Sequence, residues 1–535
     1  MTWDLVGRRV ARLHEHIVQF PHGLAAHRVG QRKPSPAPAS PLASVRKDVE
    51  EGSAGYGDAV NNSVVPELTG LDEAAKDEGR RRPDVRGALG SLFPESPESA
   101  PPVPVRRLLS AVLQLMAVAL GAVLLLERIP GLPSWDTIYN DDKWEFLRQA
   151  FQQPWHVFIP YGGYYQLLPR VIVQFAQYLP LAQASRLLAV CGALIASGCG
   201  LFIFHASAGH VRAMPLRAML GAAVVLMPIA VIEIADSTVN APWYLLLATF
   251  WALLWRPRTR MGMAAAALVA FAATSSEIVC VLFAPLVAAR LFVLRRPREH
   301  AVTAGWLAGC LVQVPAVLSS FHSGQSRVGQ LGSLGHSLAF YAHEVVLPAP
   351  GWHLAWWLQS FAGKNGATAI VAILLVAAVG AILGTQPSSR PFVVTALLTG
   401  FAFCLFETTV NGHVASLPLW KFGQEPGSRY TVLPIFLIQA VVIVGIDYLV
   451  RQRGGLRRPG TASLLPAIAV FTLVAVLGGS WVADFRYAAF RSYGARNWGP
   501  IAADWQHDCA HSRSGAISER FRNIPQTLPC AHIRS

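Results

Sequence analysis

The chain has 535 residues, 53% of them hydrophobic and only 14% charged, and its mean hydropathy of +0.38 excludes an ordinary soluble domain of this length. The net charge is +14, yet residues 1–105 carry 13 basic against 14 acidic side chains, so the excess lies further along the chain. There it falls largely in short loops between apolar runs, where it sets orientation and meets anionic lipid; nucleic-acid binding is not implied.

The first 105 residues include "KPSPAPASPLAS" and "PESPESAPPVP". Such Pro/Ser-rich, charge-mixed sequence buries little, so a disordered cytoplasmic region is expected over 1–105. "GRRVARLHEHIVQF" suits a short helix, but no apolar core follows its Arg pair as a signal peptide requires. From Arg106 onward, apolar runs recur at 108–128, 184–206, 215–235, 241–255, 261–274, 277–294, 301–319, 366–383, 392–410, 431–450 and 461–482. A bilayer crossing takes about twenty apolar residues. The pattern predicts an all-α, polytopic transmembrane bundle of about eleven spans over 106–482, followed by a short extracytoplasmic tail, 483–535.

Orientation follows from the basic residues. With the N-terminus cytoplasmic, Arg106, Arg107, Arg212, "RPRTR", "RRPR", Arg390 and "RQRGGLRR" fall inside, while loops 236–240 and 274–276 carry no Lys or Arg. The C-terminus and the large loops 129–183, 320–365 and 411–430 are then outside. A protein that concentrates its long loops on one side has its working face there.

Three acidic points lie on that face. "WDTIYNDDKWEFLRQAF" gathers Asp136, Asp141, Asp142 and Glu145. Asp142 as N-cap with Glu145 at N3 is a capping-box reading that accounts for two of them. Asp141 is left for chemistry, since adjacent carboxylates repel unless a cation or donor intervenes. Trp144, Leu147 and Phe151 make one apolar stripe, expected to lie in the membrane interface. In "IEIADSTVNAPW", Asn240 reads as the cap of the next helix. Glu233 near helix depth is costly enough, about 2–3 kcal/mol, to need a reason. Glu277 in "ATSSEIVC" reads mainly as a first-turn acid, with Ser275 or Ser276 as cap.

Basic residues outside run against the orientation rule. Lys421 and Arg429 in "LWKFGQEPGSRYTVLP" are therefore anion-site candidates, with interfacial snorkelling as the alternative. Glu407 and Asn411 share a helical face. Tyr161, Tyr164 and Tyr165 in "PYGGYYQ" suit either a sugar site or an aromatic belt. His343 and Glu344 form a polar pair without an assigned role. Five cysteines lie in apolar runs; only Cys509 and Cys530 lie in the tail, where an oxidising compartment favours a disulfide between them. The sequence contains no P-loop, no H-E-x-x-H and no G-x-S-x-G.

On the strength of "YNDDKWEF" in the first large outer loop and "EIADSTVN" between the third and fourth spans, residues 106–320 resemble the GT-C class of integral-membrane glycosyltransferases. That resemblance implies a polyprenyl-phosphate sugar donor, a cell-envelope acceptor and a bacterial cytoplasmic membrane. Asp141 or Asp142 would be the general base, Asp236 would support the acceptor or a divalent metal, and Arg429 and Lys421 would hold the donor phosphate. Glu233, Glu277 and Tyr164 would support that site. The tail is far smaller than the soluble domain of many relatives. A lipid-linked saccharide flippase or a non-catalytic membrane scaffold are the alternatives, and the donor sugar and the oligomeric state do not follow from the sequence.

Overall fold

The computed structural model describes residues 85–96, 104–128, 133–138, 142–228, 234–323, 331–411, 428–452, 464–486, 497–512, 515–521 and 524–533, all within one compact unit, Arg80–Ser535. Seven helices are long and apolar enough to cross a membrane: Leu108–Glu127, Leu181–Gly209, Pro297–Ser320, Trp352–Thr385, Pro387–Val410, Arg429–Gln452 and Pro466–Ala483. Shorter apolar helices of 10–17 residues, Met214–Leu226, Ala241–Leu254, Arg260–Thr274 and Ile278–Val293, stand at the other four apolar runs. They fall short of the roughly twenty residues of a straight crossing. Pro228 follows the first, and the last opens with a 3-10 turn, Ile278–Phe283.

Ala241–Leu254 is buried at every position, and 83% of the most apolar window in Arg429–Gln452 is buried. Helices apolar all round belong at the centre of a bundle, and here Phe250 and Trp251 of Ala241–Leu254 are in mutual ring contact with Phe392 of Pro387–Val410. The helices Ala184–Ala206 and Met214–Leu226 touch backbone to backbone at Gly200 and Gly221. A Cβ on either would stand 2.7 Å from the other's carbonyl oxygen, so only glycine permits that approach. Peripheral helices instead leave large apolar side chains such as Leu115 and Phe471 exposed.

One end of the bundle is basic. Arg256 bonds Glu299 at 2.8 Å and Glu95 at 3.1 Å, and Arg451 pairs with Asp447 at 2.9 Å. Glu95 belongs to the stretch expected to be disordered, yet 85–96 is folded: Val85–Gly90 is helical, and Leu92 and Phe93 are buried in the core. These two apolar residues, with Glu95 paired to Arg256 and Ser96 accepting from Trp255 Nε1, dock this piece. The rest of 1–84 lies outside the described residues.

The opposite end carries a second hydrophobic core. It joins Phe146, Leu147, Ala150 and Phe151 to Val173, Leu181 and Leu188, and to Trp498, Ala502, Trp505, Cys509, Leu528 and Cys530 of the C-terminal segment. One expectation is corrected here: Leu147 and Phe151 face protein, not lipid. The tail helps bury this core, and the first large loop supplies the other half. The fold is helical apart from one antiparallel hairpin, β1 (Ala516–Phe521) and β2 (Ile524–Pro529), with Ile517 opposite Leu528. Cys509 and Cys530 are joined in a disulfide, and Trp498 Nε1 donates to the Leu181 carbonyl at 2.7 Å.

Candidate active site at the acidic end of the bundle

The second core positions the turn Asp142–Leu147 against the segment that leads into Ala241–Leu254. Asp142 is 2% exposed. Its Oδ2 accepts from the Ser237 hydroxyl at 2.9 Å, and its Oδ1 from the Val239 N–H at 2.9 Å. In the reverse direction, the Ser134 hydroxyl donates to Asp236 Oδ2 at 2.7 Å. Each acidic segment thus supplies a carboxylate to a donor on the other. Thr238 and Ser185 add hydroxyl bonds to the carbonyls of Leu188 and Trp135. Asp236 holds φ +54°, a left-handed conformation that costs a non-glycine residue roughly 1 kcal/mol and persists where its surroundings demand it.

These contacts revise two expectations. The Asp142 carboxylate reaches across the chain to bind a distant loop, a role that capping does not describe. Asn240 makes no side-chain cap bond; its Nδ2 donates to Ser237 Oγ at 3.3 Å. The interlock needed partners 95 to 102 residues away, which local capping rules do not see.

A second cluster adjoins the first through Trp243, in the opening turn of Ala241–Leu254. Arg429 stands 5.9 Å from the Trp243 ring and 5.1 Å from that of Tyr430, whose hydroxyl takes a 3.2 Å bond from Nη2. Glu277 and Glu407, both nearly fully buried, are the carboxylates whose charge Arg429 meets. Glu277 also accepts from the Tyr164 hydroxyl at 3.2 Å and from the backbone N–H groups of Ile278 and Val279. Gln166 Nε2 donates to the Tyr164 oxygen at 3.2 Å. Burial and the neighbouring Glu277 push the Tyr164 phenol well above its ordinary range, so it stays a proton donor. Asn411 Nδ2 closes the cluster on Glu407 Oε2 at 3.1 Å.

Ser275 and Ser276 do not cap this turn with their side chains. The Ser276 hydroxyl accepts from the Leu168 N–H at 2.9 Å, and the Ser275 carbonyl accepts from Leu167 N–H at 3.3 Å. Both tie the tyrosine-rich loop to the bundle, as does Gln313, which bonds the Tyr165 N–H and carbonyl. Tyr164 is therefore part of a polar network rather than of a lipid-facing belt.

Arg170 is the residue that sequence reasoning missed. It is 2% exposed, stacks on Phe146 at 4.7 Å, and is fixed by an Nη1 bond of 2.7 Å to Gln149 Oε1. Among the described residues its Nε and Nη2 have no hydrogen-bond partner, while the Glu145 carboxylate acts on its charge. Those two nitrogens form the edge of a guanidinium that takes an oxyanion bidentately. The same loop also carries Lys143 and Arg148, so a basic side chain there did not by itself single out Arg170.

Of the residues singled out from the sequence, Asp142 and Asp236 meet in the interlock, while Glu277, Tyr164 and Arg429 meet in the cluster. Asp141, Glu233 and Lys421 lie outside the described residues. Among the described residues no three His, Cys, Asp or Glu side chains are grouped as donors for a metal ion. The Asp142 oxygens face hydroxyl and N–H donors, which suits a hydrogen-bonded carboxylate better than a ligand. No protein-family model matches the chain, and no curated protein does.

Proposed function

We propose that the chain is a membrane glycosyltransferase of GT-C type. It takes a sugar from a polyprenyl-phosphate donor to a cell-envelope acceptor, working on the outer face of a bacterial cytoplasmic membrane that the chain crosses about eleven times. The observation that carries this reading is the interlock of the two acidic segments, Asp142 with Ser237 and Val239, and Ser134 with Asp236. Two acidic segments far apart in sequence are brought to one place beside a buried acid–cation–phenol cluster.

The interlock redistributes the roles. Asp142 and Asp236 act as positioning residues, because their oxygens hold loops together. Asp141, the immediate neighbour of the anchored Asp142, is the general base. It takes the acceptor hydroxyl's proton as that oxygen attacks the anomeric carbon; the bond from that carbon to the phosphate oxygen breaks, and the phosphate leaves with the electron pair. The leaving phosphate needs cationic stabilisation. Arg429 already faces two carboxylates, so Arg170, with its open pair of donors, joins Arg429 and Lys421 as a phosphate ligand. Tyr164 and Glu277 orient the acceptor.

The test is sugar transfer in membranes supplied with a polyprenyl-phosphate sugar. Asp141→Asn should lose about 10²–10⁴-fold in rate with the protein still folded. Full activity in that variant would remove Asp141 from the chemistry. One observation favours a second reading: Glu407 is buried within a membrane-grade helix, where ionisable groups often serve a transport path. Saccharide crossing the membrane without transfer to an acceptor would support that flippase reading instead.

A further inference from the structure

The helix Trp352–Thr385 is interrupted at Gly363, which takes φ +66° and ψ 171°. Past that point lies a membrane-grade run whose Ile373, Leu374 and Val376 are 65 to 70% exposed. Before it lies an eleven-residue helical stretch, "WHLAWWLQSFA", containing no Asp, Glu, Lys or Arg. Trp356 is 70% exposed, Trp357 52% and Phe361 74%. At 100° per residue these three fall within one arc of 140°. Ala355, on the other side, is buried.

Both ends of this stretch are held. At its start, the fully buried Asp484 accepts from the N–H groups of Trp352 at 3.1 Å and His353 at 3.4 Å. The Ser480 hydroxyl supports the same carboxylate at 2.9 Å, and the His353 ring pairs with it. A carboxylate at the first helical turn also meets the positive end of the helix dipole. At the other end, Lys364, the residue after the break, donates to the buried Glu344 at 2.8 Å. An exposed face of two indoles and a phenyl ring is thus presented rigidly, bounded by glycines in left-handed conformations at 351 and 363.

We infer that residues 352–362 form an interfacial anchor. Trp356, Trp357 and Phe361 insert into the boundary between lipid headgroups and acyl chains at the end of the span that begins at Lys364. Three features select lipid over a protein partner. The face is continuous along the same helix with the exposed apolar surface of a span. The stretch itself carries no Asp, Glu, Lys or Arg to serve the polar rim of a protein interface. Tryptophan at a span end is what the headgroup boundary favours, since the indole is apolar over its body and polar at its N–H. The inference rests on the membrane character of the chain and is independent of the transferase reading.

The test uses the full chain in lipid nanodiscs, comparing wild type with the double variant Trp356→Phe, Trp357→Phe. Both rings are exposed, so the variant should keep its fold, checked by its unfolding midpoint. The fluorescence difference between the two proteins reports these indoles alone. Phosphatidylcholine brominated near the glycerol end should quench that difference more strongly than lipid brominated towards the chain terminus, and aqueous iodide should leave it unchanged. A depth of about 5–10 Å is typical of such helices. Quenching by iodide without any bromolipid effect would put the helix in water. Quenching by neither would mean that protein, such as a second copy of the chain, covers the face; either result overturns the anchor.

Discussion

The two carboxylate clusters at the acidic end differ in what their oxygens meet. Asp142 and Asp236 accept hydrogen bonds from hydroxyls and a backbone N–H, each supplied by a segment far away in the chain, and the buried Arg128 guanidinium also acts on Asp236. Glu277 and Glu407 lie in the field of the Arg429 guanidinium, with a phenol and an amide in support. Neutral donors to a buried carboxylate fix geometry and are costly to lose. A cation shared between two acids is an adjustable charge, able to exchange partners as charge develops in a substrate. Acids that look alike in sequence thus divide into a fastening pair and, on the proposed function, a reactive pair.

The largest expected loss of stability comes from breaking the fastening. Asp142→Ala removes two charge-assisted bonds and strands the Ser237 hydroxyl and Val239 N–H, which should cost about 4 kcal/mol. Thermal unfolding in detergent measures it, and a midpoint unchanged from wild type would dissolve the distinction between the clusters. Next comes the core that holds the Asp142 turn. Cys509→Ser with Cys530→Ser opens a loop closed at a sequence separation of 21 and should cost about 3 kcal/mol in the chain-entropy account. Protease digestion should then cut first between 498 and 533, with the bundle left intact.

A third carboxylate sharpens the contrast. Glu344, salt-bridged to Lys364 at 2.8 Å, is pushed by burial up to about 7, with the Lys364 ammonium opposing that rise. A carboxyl raised in the folded state favours folding below its ordinary value near 4.5, and that contribution is lost as the pH rises through 7. Between those values wild-type stability should fall by roughly 2 kcal/mol from this group, and Glu344→Gln should flatten that part of the profile. A variant whose pH profile matches wild type would show that Lys364 neutralises the cost of burial completely. The smallest effect is expected at Ser134→Ala, about 1 kcal/mol for one bond to Asp236. Its coupling to Asp236→Asn in a double-mutant cycle should be of the same size.

The helical positions were legible because periodic or continuous apolar runs report burial and lipid contact directly. At each of the eleven runs there is an apolar helix, seven of them long enough to cross. The pairing of Cys509 with Cys530 was legible by compartment and by elimination. Glu407 with Asn411 was legible because i, i+4 neighbours meet on a helix. Contacts across 95 residues or more were not, which is why Asp142 read as a local cap. The hairpin at 516–529 and the burial of Leu147 and Phe151 were hidden for the same reason: each half of the second core is too small to announce itself, and only their meeting makes it stable. Arg170 went unnoticed because its significance is an open pair of donors in a buried place, a property of packing.

The division between fastening and reactive acids is tested most directly by the initial rate of sugar transfer per folded molecule in Arg429→Gln, measured beside Asp142→Asn in the same membranes. Removing one preorganised charge partner at a reacting centre typically costs about 10²–10³-fold. We expect a loss of that size in Arg429→Gln with little change in unfolding midpoint, and in Asp142→Asn a lowered midpoint with most of the rate per folded molecule retained. A wild-type rate in Arg429→Gln, or a loss as deep in Asp142→Asn at an unchanged midpoint, would contradict the assignment.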